Sequence, residues 1–276
     1  MIKCDEPRRL GVPDPEARLR FEAEQREGGG RPGRRVLVVD GEPAFELSNW
    51  CGTCPLLFRR LVTANKTLSL EGVRERLSGT PAGSGDDGVI GAFGALLPEG
   101  DYLPLLVRVE PRLVIPGQEG DYFSGEQVDS WGLDQFWGLP EYPRTPYYRT
   151  FETAVDASAH LYEFVVPMVP PTWNERERVE EYVELMGRGA VPTAVAVSTL
   201  DVCEPAGGFG DDQSRHWGLT HFLPDGHHKL DAAATAGRPV QLLSLLALGE
   251  GLADAEECAR LPALRAQPRS ARTTRA

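Results

Sequence analysis

The second half of the chain alternates short apolar runs with turn signals, a pattern typical of buried strands joined by helices and loops. Four of these runs predict strands, at 160–168, 194–200, 216–223 and 240–248. Apolar residues at helical spacing over 179–186 predict a helix after the first strand, with Asn174 as N-cap and Glu177 completing a capping box. An alanine-rich run at 232–236 predicts a second helix between the last two strands. This mixture of elements indicates an α+β fold.

The pattern in the first half of the chain is weaker. Residues 36–39 and 44–47 predict two strands joined by an Asp-Gly turn, and 56–61 has a helical pattern. Two further strands are predicted at 102–109 and 112–115. The aromatic-rich stretch 121–150 is interpreted as a packed connector between two lobes or as a lid over a pocket.

These patterns predict two lobes between polar ends. We expect a loosely attached polar arm over 1–35 and an amino-terminal α+β lobe over 36–150. A second domain, with a mixed sheet and flanking helices, is expected over 151–250. The arginines and prolines of 251–276, with no apolar periodicity, predict a disordered basic tail.

Charge and composition narrow the expected partners. The chain of 276 residues carries a net charge of −12, which opposes nonspecific binding to the phosphate backbone of DNA or RNA. No run approaches the roughly 20 apolar residues of a membrane span, and the start has no apolar signal-peptide core. Five cysteines without an export signal indicate a reducing compartment. We therefore expect a cytoplasmic protein that binds neither nucleic acid nor membrane.

A polar cluster between the last two predicted strands carries the clearest candidate chemistry. Asp225 and Gly226 form a turn signal, and His227, His228 and Lys229 follow at the start of the alanine-rich helix. The first turn of a helix has backbone N–H groups without intrahelical partners, and the helix dipole favours negative charge there. Helix N-termini therefore bind phosphate readily, and the sequence predicts an anion site at this turn.

The order of elements around this turn resembles the ParB/sulfiredoxin-like fold. The resemblance covers about 155–250 and rests on the Pro-Pro turn, the following helix, and the segments PTAVAVSTLDV and THFLPDGHHKLDAAATAG. In that superfamily a turn of the Gly-His-His-Arg type holds nucleotide phosphates. The Asp-Gly-His-His variant is similar to the free-serine kinases, which phosphorylate an amino-acid hydroxyl with ADP or ATP. The resemblance implies a nucleotide-dependent phosphotransferase for a small hydroxyl-bearing metabolite.

The resemblance also implies roles for individual residues. The catalytic residues would be Asp225, His227 and Glu175, and the nucleotide-binding residues Gly226, His227, His228 and Lys229. Lys229 replaces the usual arginine, keeping the charge but not the bidentate fork. Asp225 would bind the Mg²⁺ of ATP or ADP or orient the acceptor hydroxyl, and Glu175 would accept its proton. None of residues 223–230 is a cysteine, so the sulfiredoxin nucleophile has no counterpart there.

A second motif, Trp-Cys-Gly-Thr-Cys-Pro at 50–55, leaves three alternatives open. It resembles the thioredoxin active site over six residues, which favours a redox thiol at Cys51. Cys51 and Cys54 also form half of a Zn²⁺ site, with Cys4 as a further ligand. Other zinc ligands considered are Cys203, His216 and His221. The third alternative is a pair of ordinary structural thiols.

Three functions compete on this basis. The first is an ATP- or ADP-dependent phosphotransferase whose partners are a nucleotide and a small-molecule substrate. The second is a protein that senses a nucleotide in the same pocket without turnover. The third is a thiol-redox or zinc-stabilised interaction protein centred on Cys51 and Cys54. The oligomeric state has no signature in the sequence.

Overall fold

In the part of the chain that the structure describes, a mixed sheet of nine strands and an antiparallel sheet of four strands form the framework of the protein. The computed structural model describes residues 2–4, 6–23, 34–49, 53, 57–68, 70–73, 77, 87–131, 142–205 and 214–271, with only the backbone at 2–4 and 71. The five α-helices of this described part complete an α+β fold, and the predicted fold class is confirmed.

The helices and strands have the following bounds. The strands are β1 (Ile2–Cys4), β2 (Arg8–Leu10), β3 (Leu19–Ala23), β4 (Arg35–Val39), β5 (Glu42–Leu47), β6 (Phe58–Arg60), β7 (Gly100–Val109), β8 (Arg112–Val114), β9 (Tyr147–Asp156), β10 (Ala159–Pro167), β11 (Thr193–Cys203), β12 (Arg215–Asp225) and β13 (Val240–Ala247). The helices are α1 (Asp87–Gly94), α2 (Glu126–Trp131), α3 (Arg176–Gly187), α4 (His227–Ala236) and α5 (Ala255–Arg265). Short 3₁₀ turns lie at Asp14–Glu16, Glu71–Val73 and Pro171–Trp173.

The large sheet combines strands from both ends of the chain. Its order is β1-β7-β13-β11-β12-β10-β9-β8, and β2 also pairs with β7. The pairs β10–β12 and β11–β13 are parallel, and the other pairs are antiparallel. The small sheet follows chain order from β3 to β6. Residue 150, where we expected one lobe to end, lies inside β9, so strands from both sides of it share one sheet.

The two faces of the large sheet have different coverings. On one face, Phe222 of β12 packs against Phe45 of the small sheet, with ring centroids 5.2 Å apart. On the other face, Leu230 of α4 and Leu261 of α5 share a core cluster with Leu219 of β12. Because both faces are covered, β11 is buried along almost its whole length.

A buried ion pair connects the two sheets. Arg35 of β4 donates to the carboxylate of Asp201 in β11 at 3.0 Å, and both side chains are 2% exposed. Arg35 also donates to the carbonyls of Ser48 and Glu250, and Asp201 accepts from the Leu252 N–H. These bonds satisfy groups that burial would otherwise leave unpaired, so loss of either partner is expected to cost about 3–5 kcal/mol.

Several element predictions are confirmed. The hairpin of β4 and β5, the strands β7, β10, β11, β12 and β13, and the helices α3 and α4 lie where the apolar pattern placed them. The helix predicted for 56–61 was wrong at Phe58–Arg60, because this segment pairs with β5 as strand β6. The predicted capping box of Asn174 was also wrong. The N-cap of α3 is Glu175, and the Asn174 amide instead donates to Asp231 at 3.0 Å.

Both ends of the chain are more ordered than predicted. The expected loose arm contributes β1 and β2 to the large sheet and β3 to the small sheet, because its backbone completes their edges. The disordered tail predicted for 251–276 was wrong over α5, which begins at a capping box of Asp254 and Glu257. Three residues of α5 on one face, Cys258, Leu261 and Leu264, are buried against the sheet. None of the helices in the described part of the chain is long and apolar enough to cross a membrane.

Candidate functional site

The turn between β12 and α4 requires glycine. Gly226 has φ +105°, and a Cβ at this position would lie 2.6 Å from the Cβ of Ala194 in β11. Both the left-handed backbone and the close approach exclude a side chain. The turn therefore joins β12 to the first turn of α4 with no intervening loop, as the Asp-Gly signal predicted.

The N-terminus of α4 opens into a cleft of about 330 Å³. The cleft lies where the parallel neighbours β10 and β12 end, beside the segment that leads from β10 to α3. All six residues that the resemblance singled out line it, namely Glu175, Asp225, Gly226, His227, His228 and Lys229. The structure therefore brings Glu175 to the same cavity as the turn, although some 50 residues separate them in the chain.

The two histidines of the turn point their Nε2 atoms at backbone N–H groups. His227 Nε2 accepts from the Met168 N–H at 3.1 Å, and His228 Nε2 accepts from the Glu175 N–H at 3.1 Å. Burial lowers the pKa of His227 to about 3. Partial burial, followed by the charge of Arg178, also lowers the pKa of His228. Both rings are therefore neutral at pH 7, with the proton on Nδ1.

Lys229 is directed toward the sheet. Its buried Nζ donates to the Thr193 carbonyl at 2.8 Å and lies 5.9 Å from the ring centroid of Tyr182. This bond fixes α4 against the start of β11. The expected contact between Lys229 and a phosphate would therefore compete with a bond to the backbone.

Sequence reasoning missed four other residues of the cleft. Arg178 and Trp173 line the wall that leads into α3, and Asn65 and Thr67 also line the cleft. Trp173 is 57% exposed, and the guanidinium of Arg60 lies 5.8 Å from its ring centroid. The wall that carries Asn65 and Thr67 is held in place by the Leu68 N–H, which donates to the Pro224 carbonyl. Trp173 had a signal in the Pro-Pro-Thr-Trp turn, whereas Arg178, Asn65 and Thr67 had none.

The structure gives little information on the cysteines for which a redox or zinc site was predicted. Cys51 and Cys54 lie outside the described residues, and Cys4 is described only by its backbone in β1. Cys203 and His216 are register partners on β11 and β12. Their side chains bond to Ser48 Oγ and Tyr122 Oη respectively. Within the described ranges, no group of three or more His, Cys, Asp or Glu side chains is placed to hold a metal ion.

A second polar cluster lies beneath α5 on the helix-covered face of the large sheet. Arg265 Nε lies 2.6 Å from a carboxylate oxygen of the fully buried Glu163. Burial raises the pKa of Glu163, but the charge of Arg265 and the hydrogen bonds from Arg265 and Thr150 together outweigh this effect, and the pKa lies below its usual value. Nearby, His221 Nδ1 lies 2.9 Å from Ser244 Oγ, and burial lowers the pKa of His221 to about 4. His221, considered above as a zinc ligand, is a neutral core residue.

Comparisons of the chain with protein-family models, with curated proteins and with solved structures each returned no match. The functional interpretation therefore depends on the sequence motif and on the geometry of the cleft.

Proposed function

We propose that the cleft at the N-terminus of α4 binds a nucleotide, ADP or ATP, in the manner of the ParB/sulfiredoxin-like proteins that the chain resembles. One observation carries the proposal, namely that the six residues singled out by that resemblance line one cavity. Its position at the carboxyl ends of two parallel strands is where open α/β sheets commonly bind ligands.

The phosphates are assigned to the first turn of α4 and to Arg178. In an α-helix the first N–H groups have no intrahelical acceptor, and they add to the positive end of the helix dipole. In α4 the first intrahelical bond runs from the Leu230 N–H to the Gly226 carbonyl. Arg178, which lines the same cleft, supplies a full positive charge and can bind phosphate oxygens with a bidentate fork. This arrangement needs no charge on His227 or His228.

The base is assigned to the outer part of the cleft. Trp173 presents an exposed indole there, and stacking on an aromatic ring is worth about 1–3 kcal/mol per base. The amide of Asn65 and the hydroxyl of Thr67, which also line the cleft, offer hydrogen bonds to a base edge or a ribose.

For phosphoryl transfer, the cleft offers the carboxylates of Asp225 and Glu175. When bound, Mg²⁺ would neutralise phosphate charge, and Asp225 supplies a hard oxygen ligand of the kind it prefers. Glu175 would accept the proton of the acceptor hydroxyl. The alternative is a sensor that binds the nucleotide without turnover. The neutral state of both histidines favours this alternative, because they add no positive charge at the α4 N-terminus.

Binding is tested by the thermal shift that ADP and ATP produce. A ligand at 100 times its Kd stabilises the folded state by about 2.7 kcal/mol. Arg178→Gln should weaken binding about ten-fold or more, through the loss of a charge-assisted bond. Arg176→Gln is the matched control, since Arg176 lies two residues away, is exposed and pairs with Glu180. The absence of a shift with either nucleotide, or equal shifts in both variants, would overturn the proposal.

Turnover is tested by nucleotide consumption with a panel of hydroxy amino acids. Glu175→Gln should abolish turnover and leave binding intact, whereas Glu177→Gln, on the exposed side of α3, should change neither. If the unmodified protein binds nucleotide but does not turn it over, the sensor function is supported and the phosphotransferase function is excluded for these substrates.

A further inference from the structure

The segment 168–175, between β10 and α3, is held at both ends by α4. Met168 donates its backbone N–H to His227 Nε2, and Glu175 donates its backbone N–H to His228 Nε2. Between these two bonds the segment carries Val169, Trp173 and other residues of the cleft wall. Two adjacent residues of α4, His227 and His228, thus hold the two ends of this segment through hydrogen bonds.

The chemistry of these bonds determines the protonation of the rings. A backbone N–H requires an acceptor, and an imidazole nitrogen accepts only when it carries no proton. Protonation of either ring would place two N–H groups against each other and break the bond. A cationic histidine that binds phosphate and a histidine that holds this segment are therefore exclusive states of one side chain.

We infer that His227 and His228 are positioning residues, which act as neutral hydrogen-bond acceptors and fix the wall 168–175 against α4. They would shape the cleft, and the anion would be bound by the helix N-terminus and Arg178. The effect on nucleotide affinity rests on the proposed function, whereas the two hydrogen bonds themselves do not.

Paired substitutions at His228 separate an acceptor from a charge. His228→Gln keeps an oxygen that can accept from the Glu175 N–H, whereas His228→Lys introduces a positive charge and has no acceptor. The side chain of His228 is only partly buried, so both replacements have room in the cleft. His227→Gln provides the same acceptor-preserving replacement at the buried position.

The first readout needs no ligand. Hydrogen exchange of the Met168 and Glu175 amides is measured in the full-length unliganded protein, together with ¹⁵N NMR of the histidine rings at pH 7. We expect neutral rings with the proton on Nδ1. Exchange of the Glu175 amide should be unchanged in His228→Gln and about five-fold or more faster in His228→Lys. Protonated rings, or equal exchange in both His228 variants, would overturn the inference.

The second readout is the affinity for ADP. His228→Gln should bind within about three-fold of the unmodified protein, and His228→Lys should bind more weakly despite its added charge. Tighter binding by His228→Lys than by His228→Gln would mean that charge matters and would overturn the positioning role. If the unmodified protein binds no ADP, the proposed function fails, while the exchange and NMR data still decide the role of the histidines.

Discussion

Acid should destabilise this protein partly through His227, and the size of the effect follows from its burial. The pKa of His227 falls from 6.5 in a model peptide to about 3 in the folded protein, because the buried ring cannot be charged without losing solvation. Below pH 6.5 the His227 ring binds a proton in the unfolded chain, whereas the buried ring of the folded chain remains neutral. The stability contributed by the neutral ring is therefore complete above pH 6.5 and is lost as the pH falls toward 3.

A change from pH 7 to pH 5 covers about 1.5 pH units of the range below pH 6.5 in which this stability is lost. At about 1.4 kcal/mol per unit, His227 accounts for about 2 kcal/mol of lost stability. Where the neighbouring His228 is protonated, its charge reinforces the effect of burial on the pKa of His227. The Lys229 Nζ, on the same turn, is directed away to the Thr193 carbonyl.

The assay is chemical denaturation of the unmodified protein and of His227→Gln at both pH values. Comparison of each protein with itself removes any constant cost of the substitution, so the loss from pH 7 to pH 5 should be about 2 kcal/mol smaller in His227→Gln. Some acid sensitivity should persist, since His221 is buried with a pKa of about 4 in both proteins. Equal losses in the two proteins would show that His227 is not a buried neutral acceptor.

Two further predictions concern the ends of helices. Gly226→Ala should destabilise the fold by about 2–4 kcal/mol through backbone strain and the overlap with Ala194, whereas Gly237→Ala, at φ +57° with open space, should cost about 1 kcal/mol. Equal costs in denaturation would contradict the close approach at Gly226. Asp254→Ala should cost about 1 kcal/mol, because the capping box of α5 is lost. An unchanged unfolding midpoint would mean that α5 contributes little to the global transition.

The sequence predicts those elements whose cause is local. The Asp225-Gly226 turn, the strand before it and the alanine helix after it are encoded within about twenty residues, and all three are found as predicted. The position of Glu175 beside this turn was predicted through the family resemblance and not through spacing. In the structure, a hydrogen bond from the Glu175 N–H to His228 holds Glu175 beside the turn.

Elements that depend on residues far away in the chain were not predicted, because a local pattern contains no information on those partners. Phe58–Arg60 is a strand because β5 lies beside it, and nothing in its own apolar pattern distinguishes a strand from a helix. The arginines of the segment that forms α5 led to the prediction of a disordered tail. One of them, Arg265, pairs with Glu163, about one hundred residues earlier. The direction of the His227 and His228 side chains depends on amides in another segment, so a motif that names the residues cannot state what they contact.

The place of β13 in the large sheet has a consequence for biosynthesis. It is the last strand that the structure describes, yet it lies between β7 and β11 and pairs with both. Of the strands that the structure describes, β13 alone pairs with both β7 and β11, so β7 gains its place beside the β8–β12 part of the sheet only when residues 240–247 have been synthesised. Pairing over such long sequence separations slows folding, and the edge of β7 that β13 covers stays unpaired until then.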